Sequence, residues 1–139
     1  MIENVQQMPV YQAFFDLAVD VEKATRDLGA EFRWLRVQSL RSSEPVCANM
    51  SEGFYSQYST EYLQALYRCR REARETVTHL NYGHTVEQLP EPVIGGFARR
   101  YEDALRQLAN LIASIERKIQ ERGKAKLGAY VLKETSEER

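Results

Sequence analysis

Residues 59–80 read STEYLQALYRCRREARETVTHL, and this stretch decides the fold. Its apolar and small positions, Tyr62, Leu66, Cys69, Ala73, Val77 and Leu80, recur at spacings of 4, 3, 4, 4 and 3. That is the seam of an amphipathic helix, with Arg and Glu filling the other faces. Ser59 is the expected N-cap and Glu61 a favourable charge in the first turn, while Tyr82-Gly83-His84 closes the segment.

The same period extends outward in both directions. Upstream, Tyr11, Phe14, Ala18, Val21, Thr25 and Leu28 define a first helix ended by Gly29. Phe32, Leu35, Ser39, Ser42, Val46, Asn49 and Gly53 then give a second stripe of small and polar residues. Pro45 lies inside it, and a mid-helix proline removes one backbone bond and clashes with the carbonyl of Arg41, so a kink is expected there. Ser42 and Ser43 either satisfy the freed groups or cap a new helix starting at Glu44. Downstream, LPEPVIGG (89–96) reads as turn chemistry, and a last helix is expected from about Phe97, through Tyr101, Leu105, Leu108, Ile112, Ile115 and Ile119, to Gly123. Four amphipathic helices joined by short loops predict an all-α fold, an antiparallel up-and-down four-helix bundle with helix two kinked near Pro45. Residues 1–123 form the single domain in this reading. Residues 124–139, including the apolar AYVL (129–132), form a C-terminal tail that is either disordered or docks on a neighbour.

With 139 residues the chain has the size of one domain, and 43% apolar residues place it among globular proteins. Nineteen basic against twenty acidic residues exclude coating of nucleic acid by bulk charge, so any such contact has to be local. No apolar run is long enough to cross a bilayer, so no membrane partner is expected. The two cysteines, Cys47 and Cys69, are too few for a disulfide scaffold and point to a reducing cytoplasm.

Two basic clusters break the charge balance. Arg68, Arg70, Arg71 and Arg74 stand against Glu72 alone in RCRREAR, and Arg117, Lys118, Arg122, Lys124 and Lys126 against Glu121 in RKIQERGKAK. Helical spacing offers Arg68 to Glu72 and Arg71 to Glu75, and leaves Arg70 and Arg74 together on one face without a partner. Tyr67 lies beside them as a stacking surface. Both clusters are candidate nucleic-acid-binding strips; solvated faces, or cations favoured by a helix C-terminus, explain them equally well.

Asn49 and Glu52, one turn apart, read as structural polars that satisfy backbone loosened by Pro45 and tie the end of helix two to helix three. A catalytic site normally needs a second convergent group, which neither has, so no catalytic residue is expected. His79 and His84 lack the close spacing that places two ligands on one metal, and no glycine run has a phosphate-cradling pattern. No metal and no cofactor are expected.

The run from Gln38 to Glu75 resembles a known family. Gln38, Arg41, Ser42, Ser43 and then Val46-Cys47-Ala48-Asn49-Met50-Ser51-Glu52-Gly53-Phe54 are similar to the second helix of the bacterial four-helix-bundle proteins encoded in intervening sequences of 23S rRNA genes. Ser59, Glu61, Tyr62, Leu66 and Glu75 resemble positions of that family's next helix. The most specific element is ANMSEGF; Gly53, Asn49 and Glu52 belong to it, whereas the family's proline falls where Cys47 sits and Pro45 stands at its usual serine.

The resemblance implies a small cytoplasmic bundle that assembles as a ring, often five-fold, without established catalysis. A distant branch, the accessory variability determinant of diversity-generating retroelements, works as a ring bound to a reverse transcriptase and nucleic acid. The expectation is therefore a non-enzymatic homo-oligomer, a pentamer by resemblance. It acts as a scaffold toward RNA, DNA or a nucleic-acid enzyme such as a reverse transcriptase; the alternative is a purely protein-binding adaptor. Tyr55, Tyr58, Tyr62 and Tyr67 near the start of helix three, and Phe15 and Leu17 beside the first seam, supply aromatic and apolar surface beyond what one bundle buries.

Overall fold

Pro9 opens the first helix, where a missing N–H costs nothing, and α1 runs Pro9–Thr25. In the computed structural model, which describes residues 1–137 with side chains through Gly128, it is followed by α2 (Arg33–Phe54), α3 (Ser59–Thr85) and α4 (Glu91–Glu137). Short 3-10 turns at Val5–Gln7 and Ala30–Phe32 precede α1 and α2. The helices pack in a circuit, α1 on α2, α2 on α3, α3 on α4 and α4 on α1, with no close approach across the diagonals among the described residues. Along α2 and α3 the register is antiparallel: Ser42 meets Thr76, Val46 meets Cys69, and Gly53 meets Ala65. The fold is an up-and-down four-helix bundle.

The core lies where the four seams converge, on Phe14, Leu17, Met50, Leu66, Tyr101 and Leu108. The small stripe of α2 has a packing purpose. Ser39, Ser42, Ser43 and Gly53 are buried and let α3 approach closely. The Ser42 hydroxyl donates back to the Gln38 carbonyl at 3.2 Å, and the Thr76 hydroxyl lies 2.6 Å from Ser42 Oγ. These bonds satisfy polar atoms that would otherwise be costly inside the bundle.

Several expectations change in the folded chain. The buried stripe of α1 is Val10, Phe14, Leu17, Val21 and Thr25, so Leu17 is core and Tyr11 and Ala18 sit at its margin. α2 continues through Pro45, and no new helix starts at Glu44. Tyr58, not Ser59, is the N-cap of α3. α4 begins at Glu91, ahead of the glycine pair: Val93 and Ile94 donate to the Pro90 carbonyl at 3.1 Å, and burial of Ile94 and Phe97 anchors the turn containing Gly95 and Gly96. Nor does Gly123 end α4, which runs on to Glu137 among good helix formers; the side chains of residues 129–132 lie outside the described residues.

Candidate functional site

Asn49 is the hub of the α2–α3 seam. Its Nδ2 donates to the Pro45 carbonyl at 3.0 Å and to Glu72 Oε1 at 2.8 Å, while its Oδ1 accepts from Arg68 Nε at 3.3 Å. The amide thus serves one turn of its own helix and two side chains of the next. Glu72 Oε2 is buried with no partner among the described residues. Burial is the main reason its carboxyl titrates above the ordinary range, against the pull of Asn49, Arg71 and Arg68. Glu52 differs from its neighbour. It is exposed, makes no hydrogen bond among the described residues, and lines a shallow cleft of about 350 Å³ with Gln64 and Arg68. The expected tie between helices is made by Asn49 alone.

The four arginines of α3 divide. Arg68 is half-buried against Asn49, whereas Arg70, Arg71 and Arg74 are exposed. Neither spacing-based ion pair, Arg68 with Glu72 or Arg71 with Glu75, closes to 4 Å; Glu75 lies 3.7 Å from His79 instead. The Arg70 guanidinium rests over the Tyr67 ring, 5.2 Å from its centroid. In the second cluster Arg117, Lys118, Arg122, Lys124 and Lys126 are all exposed, and Arg122 donates to Ser59 Oγ at 3.1 Å. The two clusters therefore sit on different helices.

The two thiols are poor nucleophiles. Cys47 and Cys69 are free and buried, and burial pushes both thiols up to about 12, so they stay protonated. The Cys69 thiol donates to the Val46 carbonyl at 3.2 Å. His84 spans the α3–α4 turn, with Nδ1 3.0 Å from the Leu89 carbonyl and Nε2 2.8 Å from Glu91. Among the described residues no three His, Cys, Asp or Glu side chains gather as a metal site.

The sequence model of the 23S rRNA-intervening sequence protein family matches residues 6–121. The chain belongs to that family. A solved structure of a protein with unknown function from the S23 ribosomal protein family of Bacteroides thetaiotaomicron has the same fold, with a TM-score of 0.70 and 21% identity over 75% of this chain and 95% of that one. No curated protein gives a significant match.

In this member of the 23S rRNA-intervening sequence family the ANMSEGF run has a mechanical explanation. Gly53 is buried where a Cβ would lie 2.6 Å from the Ala65 Cβ and 3.0 Å from Tyr62 Cδ1, so only glycine allows this crossing. Asn49, one turn earlier, fastens the same crossing by hydrogen bonds. Sequence reasoning missed Glu72 as the partner of Asn49, because helical spacing offered it to Arg68 and nothing in one dimension places residue 49 beside residue 72. Of the surplus apolar residues expected on α1, Leu17 is buried in the core and Phe15 is exposed; that Phe15 walls an apolar groove between α1 and α2 with Val19 was not foreseen.

Proposed function

We propose that this family member is a non-enzymatic, self-associating helical bundle of the cytoplasm that binds single-stranded nucleic acid on the outer face of α3. The observation that carries the reading is the strip of Arg70, Arg71 and Arg74. All three are exposed, none has a carboxylate within ion-pair distance among the described residues, and Tyr67 lies under Arg70 as an aromatic face. Guanidinium groups held by no internal acid are free to take phosphates in bidentate fashion, and a tyrosine beside them offers stacking to a base. Pairing of Arg68 with Asn49 removes it from the strip and leaves three cations per chain. So short a strip binds phosphate weakly, and repetition around an oligomer, five-fold by the resemblance noted in the sequence, raises the effective concentration. An assembly of this kind suits a scaffold for a nucleic-acid enzyme such as a reverse transcriptase.

Fluorescence anisotropy with a labelled single-stranded RNA or DNA, titrated with salt, tests the reading. Binding is expected to weaken steeply with salt, and Arg70→Ala with Arg74→Ala to lower the logarithmic salt slope by about 0.7 for each phosphate that the variant no longer neutralises. Absence of binding at low salt, or an unchanged slope in the double variant, overturns it in favour of a protein-binding adaptor.

A further inference from the structure

Between α1 and α2 the bundle leaves an open groove of about 600 Å³, walled by Tyr11, Phe15, Val19 and Leu40 and floored by Cys47 and Ala48. Phe15 is 49% and Val19 39% exposed, so this apolar surface has no cover among the described residues. Its rim is acidic. Asp16 and Glu44 are exposed, engage no cation within 4 Å among the described residues, and both bear electrostatically on the Cys47 thiol below them. A second hollow, of about 540 Å³, continues the groove past Gln12; it shares Tyr11 and Phe15 with the groove and adds Asp16. The surface therefore suits an occupant that is apolar on one side and basic where it meets Asp16 and Glu44.

The other end of the same chain has that chemistry. Among the described residues Ile119 is the last of the α4 seam, and the helix runs on to Glu137, roughly 27 Å further at 1.5 Å per residue. Every residue from Glu121 to Gly128 is exposed, Leu127 by 64%, and Lys124 and Lys126 flank it without an acidic partner among the described residues. The groove from Tyr11 to Glu22 along α1 spans roughly 17 Å, so the projection is long enough to lie along it. The two surfaces sit apart on one chain: α4 packs on α1 and α3, and its projecting end lies by Ser59 at the start of α3.

We infer that the projecting end of α4 from one copy occupies the α1–α2 groove of a second copy, with Leu127 against Phe15 and Val19 and Lys124 and Lys126 toward Asp16 and Glu44. This rests on the self-association proposed above and names the contact that produces it. Each copy gives one helix end and receives one, so the contact is head-to-tail, the kind that closes into a ring when the rotation allows. It also assigns the α4 cations to assembly and leaves the α3 arginines free for phosphate.

Charge reversal on exposed positions tests the contact by light scattering of the full chain at micromolar concentration. Lys124→Glu with Lys126→Glu, and separately Asp16→Lys with Glu44→Lys, should each lower the mass from a multiple of 16.1 kDa toward the monomer. All four reversals in one chain should restore the wild-type mass, because both surfaces then change sign together. Leu127→Asp should dissociate the assembly without loss of helical circular dichroism. A wild-type chain that is itself monomeric overturns self-association and this contact together. An oligomer unmoved by either reversal overturns the contact alone, as it would if a different protein or an apolar small molecule fills the groove. Failure of the fourfold variant to reassociate likewise overturns it.

Discussion

Asn49 Nδ2 lies 2.8 Å from Glu72 Oε1, a bond between two helices from residues 23 apart in the chain. It is charge-assisted and half-buried, and the same amide also reaches the turn that Pro45 loosens. Asn49→Ala leaves a carboxylate and a guanidinium without their partner, and is expected to cost about 1–3 kcal/mol of stability. Urea denaturation at fixed protein concentration measures it, and an unchanged midpoint would show that water replaces the amide in full.

Glu72 contributes a pH dependence of definite sign. Its carboxyl is raised above the usual 4.5 by burial, so between that value and the folded-state pKa the native chain binds more protons than the unfolded chain. The stability from this group is therefore fully present below pH 4.5 and is lost as pH rises through the raised folded value. Glu72→Gln removes the dependence while keeping an oxygen for Asn49. The difference in stability between wild type and variant should shift in favour of the variant as pH rises through 4.5 toward neutrality. A difference that is flat across this range refutes the assignment.

Gly53→Ala tests the crossing of α2 and α3. The added Cβ meets Ala65 Cβ at 2.6 Å, a rigid neighbour with no rotamer to yield, so the helices must separate. A loss of about 1–3 kcal/mol is expected, as for overpacking elsewhere. Pairing it with Ala65→Gly should recover part of the loss, which calorimetry on the two single variants and the double variant reads directly.

Pro45→Ala is expected to stabilise. The helix already continues through residue 45, so an alanine N–H can bond to the Arg41 carbonyl and relieve the clash with the proline ring. The gain, about 1 kcal/mol or more, is what remains of the interior-proline cost after the unfolded chain regains freedom. Thermal melts should move upward; a drop would mean that Pro45 is what seats Asn49.

Periodicity along the chain was enough to determine the fold class, the number of helices and most of the core, because a helix exposes its buried face as a spacing of three and four that any reader can count. Tyr62, Leu66, Cys69, Ala73 and Leu80 needed no partner to be recognised. Boundaries were less legible. Gly95, Gly96 and Gly123 carry a local preference against helix of about 1 kcal/mol each, and the burial of Ile94 and Phe97 and the good helix formers around Gly123 outweigh it. The α1 stripe was displaced at two positions because Leu17 and Ala18 satisfy the same period, and only the facing helices select between them. Pairing across helices was beyond the sequence altogether. That Asn49 meets Glu72, that Gly53 meets Ala65, and that acids line a groove on α1 and α2 while cations ride on α4 all depend on the angular setting of one helix against the next. Side-chain volumes and hydrogen bonds settle that setting only when the four seams close together.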